Sequence, residues 1–340
     1  MTQDPREAAV LAIDAGNSKT DVAVVAADGR VVGSARGGGF QPPLVGVTAA
    51  MDILAEAVTE AFTAAGVTGV QHVSACLANA DLPVEEEELT TAVRSRGWGC
   101  SVDVRNDTFA ILRAGLQLGD EPRGVAVVCG AGINCVGMTP DGRTARFPAV
   151  GRISGDWGGG GGLAEEALWH AARAADGRGG PTALADALPA HFGLASMSAL
   201  IEALHLGHVP VLRRHELTPV LFAVAAAGDA VARSIVARQA EEVATMASVA
   251  LGRLDLLDEV VPVLLGGSVL AARHALLDDR VRALLAARAP KAVPRVIVAR
   301  PVLGAALLGL DWLGADPEVH ARVREHFSPR PAPSRKAAAG

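Results

Sequence analysis

The feature that most constrains this chain is a series of strands and turns that occurs twice. VLAIDAG is an apolar run that ends at an acid and a glycine, and TDVAVVAADGRVVGSARGGG continues it as two strands that turn at Asp28-Gly29. GVAVVCGAG and INCVGMTPDGRTARFP repeat the series in the middle of the chain, with the turn at Asp141-Gly142. Because an Asp-Gly pair between β-rich runs favours a hairpin, and αβ units follow each hairpin, the sequence predicts two similar α/β domains with a cleft between them.

Length and composition agree with this fold class. The 340 residues are enough for a large core, half of them are hydrophobic, and the net charge of −6 argues against an extended nucleic-acid surface. We expect an N-terminal domain over 1–118 and a C-terminal domain over 119–326, whose last helix is free to return to the first domain. The Pro- and Ala-rich tail, 327–340, is expected to be disordered.

The cellular setting is also predicted from composition. The N-terminus carries acids where a signal peptide needs bases, and the most apolar later runs are too short or too charged to span a bilayer. We therefore expect a cytoplasmic protein that binds neither membranes nor nucleic acid. The four cysteines, at spacings that fit no zinc or iron–sulfur template, are expected to be reduced.

Three glycine-containing turns are candidates for anion binding. In DAGNSKTD, the first of them, main-chain amides of Gly16, Asn17 and Ser18 can point at an anion because small side chains do not crowd them, and Asp14 can hold Mg²⁺ through water. VCGAGINCVG is the second, with Gly130 and Gly132, and LLGGSVL is the third, leading into a helix N-terminus. Taken singly, each turn is equally well explained as a plain turn.

Together, the order and spacing of the three turns resemble the actin-like sugar kinase superfamily of actin, Hsp70 and hexokinase. More narrowly, they resemble the N-acetylglucosamine kinase and BadF/BadG-type ATPase family, from about Val10 to Leu313. The resemblance implies two actin-like (ribonuclease H-like) domains, a homodimer, and ATP and Mg²⁺ as cofactors. It assigns the following residues to ATP: Gly16, Asn17, Ser18, Lys19, Thr20, Gly130, Ala131, Gly132, Gly266, Gly267 and Ser268.

The chain departs from the family's motifs in two turns. Ala15, Asn17 and Ser18 stand where the family often has Gly, Gly and Thr. Asn17 still tolerates a left-handed backbone, and Ser18 keeps a hydroxyl. Ala131 stands where threonine is usual, which removes a hydroxyl but leaves the backbone amides available.

Asp107 is the candidate catalytic residue. It follows Asn106 in VDVRNDTFA, after an apolar strand and before a helix, and phosphoryl transfer to a hydroxyl group needs a carboxylate that accepts the proton. From the residues alone, a helix-capping role explains Asp107 equally well. The resemblance favours the general base, because sugar kinases of this superfamily have a catalytic aspartate in this place.

The sugar-binding candidates come partly from GRISGDWGGGGG. Five consecutive glycines suggest that backbone approaches a ligand closely, and Asp156 is placed to accept hydrogen bonds from sugar hydroxyls. Trp157 replaces the family's usual glutamate, and packing explains it better than sugar binding. Gln41 is the candidate substitute for a sugar-binding asparagine of the family. The full predicted substrate set is Gln41, Asn79, Asp81, Asn106, Asp107, Asn134, Gly155 and Asp156.

These observations predict ATP-dependent phosphorylation of an amino sugar or hexose, in first place N-acetylglucosamine or glucosamine. Domain closure would exclude water from the site. One alternative is an ATPase that activates a radical dehydratase, whose relatives hold an iron–sulfur cluster with cysteines at a dimer seam. Another is a non-catalytic sugar sensor, which would carry a helix-turn-helix ahead of the first turn; about a dozen residues precede it in this sequence.

Overall fold

The structure is a computed structural model that describes residues 8–328. Its strands are β1 Ala8–Ala15, β2 Thr20–Ala26, β3 Val31–Gly37, β4 Val70–Leu77, β5 Gly99–Asn106, β6 Gly124–Cys129, β7 Ile133–Met138, β8 Thr144–Arg146, β9 Val261–Gly266 and β10 Ala292–Val296. Its α-helices are α1 Pro42–Val45, α2 Val47–Ala65, α3 Pro83–Ser95, α4 Thr108–Gly115, α5 Gly159–Ala175, α6 Leu184–His191, α7 Met197–His205, α8 Leu217–Ala226, α9 Ala230–Arg253, α10 Ser268–Ala271, α11 Ala275–Arg288, α12 Pro301–Trp312 and α13 Pro317–Phe327. Two 3₁₀ helices cover Gly151–Ser154 and Val211–Glu216.

The described residues form two compact units. Unit 1 holds the residues up to Asp120 together with those from Ala299 onward, and unit 2 holds Glu121–Val298. Helices α12 and α13 therefore belong to unit 1. The tail predicted to be disordered lies outside the described residues from 329 onward, and Phe327 is the last residue of α13.

The two units contain five-stranded sheets with the same arrangement of strands. The order is β3-β2-β1-β4-β5 in unit 1 and β10-β9-β6-β7-β8 in unit 2. In each, the opening strand pairs antiparallel with the next one and parallel with the first strand that follows the hairpins. This repeated topology confirms the prediction of two α/β domains, each opened by a β-hairpin.

Helices cover both faces of the unit 1 sheet. Helix α12 lies so close to one face that a Cβ atom on Gly309 would be 2.5 Å from the Val10 side chain, and α2 approaches the other face at Gly33, where a Cβ atom would be 2.2 Å from the Ala61 carbonyl oxygen. Every residue of β1 is buried, as expected for a strand covered on both faces. Among the residues described, no single helix is long and apolar enough to cross a membrane; Val211–Ala226 and Ala230–Arg253, bent by 112°, meet that test as a pair.

Candidate active site

The carboxyl-terminal edge of the unit 1 sheet collects polar side chains. Strands β1, β4 and β5 are parallel, so their ends lie side by side. Asp14 is the penultimate residue of β1, Asn79 and Asp81 follow β4, and Asn106 ends β5 with Asp107 directly after it. The topology thus places five of the residues predicted from the sequence at one edge.

Asn79 connects the first turn to the segment that contains Gln41. Its backbone is left-handed, with φ at 64°, and its Nδ2 donates to Asn17 Oδ1 at 3.0 Å and to the Phe40 carbonyl at 3.2 Å. Gln41 Nε2 donates to the Asn17 carbonyl at 2.5 Å. Three predicted residues from distant parts of the chain, Asn17, Gln41 and Asn79, therefore form one hydrogen-bonded group.

Helix capping was one of the two roles predicted for Asp107, but the side chain that bonds to the start of α4 is that of Asn106. Asn106 Oδ1 accepts a hydrogen bond from the Thr108 amide at 3.0 Å, and its Nδ2 donates to Asp81 Oδ1 at 2.7 Å. Asp107 occupies the N-cap position of α4, but in the described structure its side chain makes no capping hydrogen bond. An N-cap side chain normally accepts from the amide two or three positions later.

Two carboxyl groups at this edge have raised pKa values. Burial raises the pKa of Asp107 to about 6, although hydrogen bonds at Thr108 lower it in part. Burial also raises the pKa of Asp14 to about 8; Asp107 and Asp21 add to this effect, and Lys19 and Arg300 oppose it. Perturbed acids of this kind are typical of functional sites, and a group with a pKa near 6 can exchange a proton at neutral pH.

The surroundings of Asp14 fit a bound Mg²⁺ ion. Its side chain is 8% exposed, and the nearby carboxylates disfavour a further negative charge unless a cation balances it. Within residues 8–328 there is no group of three or more His, Cys, Asp or Glu side chains placed to hold a metal. Mg²⁺ is commonly bound by one or two carboxylates together with waters and substrate phosphates, and a single carboxylate such as that of Asp14 is compatible with this habit.

Asp21 gathers three cations beside the first turn. Arg36 donates to its carboxylate from Nε at 2.7 Å and from Nη2 at 3.1 Å, Arg300 Nη2 lies at 3.2 Å, and Lys19 Nζ at 3.8 Å. Each of the three side chains is more than half exposed. Of these cations, the sequence motif indicated Lys19 alone. Asp21 and Arg36 are cross-strand partners in the β2–β3 hairpin, beyond a register shift between Val24 and Val25.

In unit 2, the second and third turns meet at the end of β6. Ala131 and Gly132 are exposed, and a Cβ atom added to Gly130 or Gly132 would have no described atom within 4 Å. Gly267, with φ at 84°, passes so close to β6 that a Cβ atom would lie 2.4 Å from the Cys129 carbonyl carbon. The second turn is thus open to solvent, whereas the third packs against protein backbone.

The glycine run has a different environment from the one expected. Gly158 is the N-cap residue of α5 and Gly159 is its first residue, and their φ values are 108° and 73°. A Cβ atom on Gly159 would be 2.4 Å from the Gly132 carbonyl carbon, and one on Gly158 would be 2.2 Å from Gln239 Oε1. Protein atoms, and not a ligand, approach these two glycines closely. Gly159 packs against Gly132, and Gly158 packs against the Gln239 side chain.

A cavity of about 300 Å³ lies next to this contact and is lined by Ala131, Gly132, Asp156, Trp157 and Gly158, among others. Asp156 Oδ2 accepts hydrogen bonds from the Gly151 amide at 3.0 Å and from the Ser154 hydroxyl at 2.5 Å, which orient the carboxylate.

Trp157 lines the cavity but is only 7% exposed and belongs to the hydrophobic core, with the Arg238 guanidinium 4.2 Å from its ring centroid. The remaining residues predicted for unit 2 lie elsewhere. Gly155 ends a 3₁₀ helix, Asn134 Oδ1 accepts from the Cys135 amide at 2.7 Å, and neither residue is among those that line the cavity. Gly266 ends β9, and Ser268 begins α10 and is exposed.

In sequence, the chain matches one family model and is similar to named kinases. The sequence model of the BadF/BadG/BcrA/BcrD ATPase family matches residues 11–309. An N-acetylmuramic acid/N-acetylglucosamine kinase of Clostridium acetobutylicum is 26% identical over 272 residues, which cover 79% of this chain and 88% of the relative. An N-acetyl-D-glucosamine kinase of Dictyostelium discoideum is 25% identical over 244 residues, or 70% of this chain and 75% of the relative.

The fold is also found in solved structures. A Chromobacterium violaceum protein with the provisional name N-acetylglucosamine kinase superposes with a TM-score of 0.66 and covers 90% of this chain and 100% of its own. Its sequence identity is 22%, so this likeness concerns the fold.

Proposed function

Because the chain belongs to the BadF/BadG/BcrA/BcrD ATPase family, we propose that it is a kinase that transfers the terminal phosphoryl group of ATP to a sugar hydroxyl. The Clostridium and Dictyostelium relatives support this proposal, since both are named as kinases of amino sugars. The observation that carries it is Asp107, a half-buried acid with a pKa of about 6 at the edge of the unit 1 sheet.

In the proposed reaction, the sugar hydroxyl oxygen forms a bond to the terminal phosphorus of ATP, and the bond between that phosphorus and the bridging oxygen of ADP breaks. The hydroxyl proton passes to the carboxylate of Asp107. With a pKa of about 6, this carboxylate is mostly ionised at neutral pH, and it is basic enough to accept the proton as the new bond forms.

The phosphate groups would be held by backbone amides and by cations. In unit 1 these are the first turn, Gly16 to Thr20, in which the Gly16 amide donates to the Lys19 carbonyl at 2.9 Å, and the cations gathered on Asp21. In unit 2 they are the amides of Ala131 and Gly132, both exposed residues, in a turn where the Gly130 amide donates to the Gly132 carbonyl at 3.0 Å. Gly266, Gly267 and Ser268 would contact the nucleoside. Mg²⁺, bound through Asp14, would supply positive charge that offsets the charge of the phosphates.

The proposed substrate is an amino sugar or hexose, with N-acetylglucosamine and glucosamine as first choices. The cavity beside Asp156 is at the small end of the range for small-molecule sites, which suits one sugar ring. The amide and carboxyl groups of Asn79, Asp81 and Asn106 are further hydrogen-bonding partners, and we include Gln41, Asn134 and Gly155 as candidates. We also propose a homodimer, as the family resemblance implies, and a cytoplasmic location, as the composition predicts.

A coupled assay of ADP release over a panel of sugars tests this function. The panel contains N-acetylglucosamine, glucosamine, N-acetylmuramic acid and glucose, each with and without Mg²⁺. We expect Mg²⁺-dependent turnover of at least one of them. Well-folded protein that turns over none of these sugars would contradict the proposal.

The alternative of a radical-dehydratase activator has less support. All four cysteines lie in the described part of the chain; Cys76, Cys129 and Cys135 are buried, and Cys100 alone is exposed. Burial raises the pKa of Cys129 to about 12, which disfavours the thiolate form that a cluster needs. Iron analysis of protein purified without oxygen would distinguish the two functions.

A further inference from the structure

The first turn of α5, Gly158–Gly161, is referred to here as the glycine turn. On one side it is bonded to the second glycine-containing turn: the Gly160 amide donates to the Gly130 carbonyl at 2.7 Å, and the Gly161 amide donates to the Ala131 carbonyl at 2.9 Å. These two bonds join the wall of the cavity that contains Asp156 to the exposed loop that contains Gly132. The cavity wall and the exposed loop are thus hydrogen-bonded to each other.

Two buried polar side chains hold the glycine turn from the other side. Gln239, in the middle of α9, is fully buried, and its Oε1 accepts a hydrogen bond from the Gly159 amide at 3.0 Å. Thr218, near the start of α8, is 7% exposed, and its hydroxyl donates to the Gly160 carbonyl at 2.7 Å. The glycine turn is thus hydrogen-bonded on one side to Gln239 and Thr218 and on the other to the loop Gly130–Gly132.

Burial of the Gln239 side chain is unfavourable for the stability of the fold. Its neighbours on the buried stripe of α9 are apolar, among them Val236, Ala240 and Val243. The amide orientation is set by the bond from Gly159, which leaves Nε2 buried and with no hydrogen-bond partner among residues 8–328. A buried unpaired donor is costly, and a hydrocarbon of the same shape avoids that cost. This points to a role for Gln239 other than core packing.

The absence of a side chain at residue 158 fits the same arrangement. The backbone there has φ at 108°, and a Cβ atom would overlap the Gln239 carboxamide, since it would lie 2.2 Å from Oε1. Gln239 therefore reaches the Gly159 amide through space that Gly158 leaves open. The Gln239 carboxamide can occupy this position only because residue 158 is a glycine.

We propose that Gln239 and Thr218 are positioning residues, which set the backbone of the glycine turn and, through it, the loop Gly130–Gly132. This inference rests on the proposed function, in which that loop binds phosphate and Asp156 binds the sugar. Neither residue is placed against the substrates; each bonds to the backbone of the glycine turn, which in turn bonds to the loop that would bind phosphate. A preset backbone matters because a misplacement of about 1 Å can reduce the rate of a reaction about a hundredfold.

The first test is Gln239→Met, which keeps the shape of the side chain and removes the acceptor. Amide hydrogen exchange of Gly159, Gly160 and Gly161 is measured without substrates, and kcat and KM are measured for both substrates. We expect loss of exchange protection at these amides and a fall of about ten- to a hundredfold in kcat/KM, with a melting temperature close to that of the wild type. Ser248→Ala is the matched control, since its hydroxyl lies on the same helix and bonds to the Ala244 carbonyl.

The second test is the pair Thr218→Val and Thr218→Ser. Valine keeps the volume and removes the donor to the Gly160 carbonyl, whereas serine keeps the donor. We expect Thr218→Val to lower kcat/KM and Thr218→Ser to restore most of it. A merely structural hydroxyl would lower the melting temperature of the valine variant and leave its kinetic constants unchanged, which would overturn the proposal for Thr218.

The results separate this inference from the proposed function. If the wild type phosphorylates no sugar, the proposed function fails, and the exchange measurement still decides whether Gln239 holds the glycine turn. If the wild type is active and Gln239→Met has wild-type exchange and wild-type kinetics, the positioning role is wrong while the kinase function stands.

Discussion

The sheets of the two units have the same strand order but present different chemistry at comparable places. At the edge of the unit 1 sheet, the groups are side chains: the carboxyl groups of Asp14 and Asp107, the amides of Asn79 and Asn106, and the cations on Asp21. Around the end of β6 in unit 2, the groups are mainly backbone atoms of glycines that pack within van der Waals distance of each other. One topology thus supports two kinds of site, because strand ends fix where groups lie and loop composition decides what they are.

This difference predicts two kinds of sensitivity to mutation. Changes of side-chain chemistry in unit 1 should alter rate and leave stability nearly unchanged. Added side-chain volume at Gly159 or Gly267 in unit 2 should alter stability, because the neighbouring atoms are backbone and cannot move aside.

The largest expected effect is that of Asp107→Asn on kcat. Asparagine keeps the shape but cannot accept the proton, so we expect kcat to fall about a hundred- to ten-thousand-fold, with sugar and ATP affinities nearly unchanged. Steady-state kinetics beside calorimetric binding measure both. Asp103→Asn, in the strand β5 that ends just before Asp107 and paired with Arg105, is the control. An Asp107→Asn enzyme with nearly full kcat would assign the base to another acid, with Asp156 and Asp81 next.

The largest effect on stability is expected from Gly159→Ala. Its φ of 73° and the 2.4 Å approach of a Cβ atom to Gly132 combine strain with overlap, so we expect the free energy of unfolding to fall by about 2–4 kcal/mol. Gly162→Ala is the matched control in the same run, since no described atom lies within 4 Å of its Cβ position. Because Gly162 is helical, alanine there should stabilise by up to about 1 kcal/mol. Urea unfolding of both variants measures the contrast; equal effects would contradict it.

The next largest effect is a fall in kcat/KM at acid pH. The general base must be ionised, so activity is lost as pH falls through the pKa of Asp107, which is about 6. About one pH unit below that value, roughly a tenth of the carboxylate is ionised, and kcat/KM should be about tenfold below its plateau. The measurement is kcat/KM across this range at saturating Mg²⁺. A flat profile would show that this group does not act as the base.

The smallest effect is expected from Arg300→Leu. It removes one of the cations on Asp21, and because the side chain is about half exposed, we expect KM for ATP to rise only about fivefold, an amount equivalent to about 1 kcal/mol. Added salt should reduce the difference. The control is Arg30→Leu, because Arg30 pairs with Asp28 at the turn between β2 and β3. An equal change in both variants would show that the cluster on Asp21 has no specific role.

Much of this protein could be predicted from its sequence, because the informative signals are local. The Asp-Gly turns and apolar runs determine the hairpins, and a parallel strand brings its final residues to a known edge, so the sequence alone sufficed to place Asp14, Asn79, Asp81 and Asp107 at strand ends. The cross-strand partner of Asp21 is an exception, because a register shift between Val24 and Val25 decides that it faces Arg36.

Tertiary structure decided the contacts between segments far apart in the chain. That Asn106 bonds to Asp81, that Arg300 reaches Asp21, and that Gln239 holds Gly159 all depend on how separate helices and strands pack. The glycine run shows the limit most clearly. Its composition indicates that something approaches the backbone closely, but whether that is a ligand or the protein itself depends on which atoms the packed fold brings within van der Waals contact, and local sequence carries no record of those neighbours.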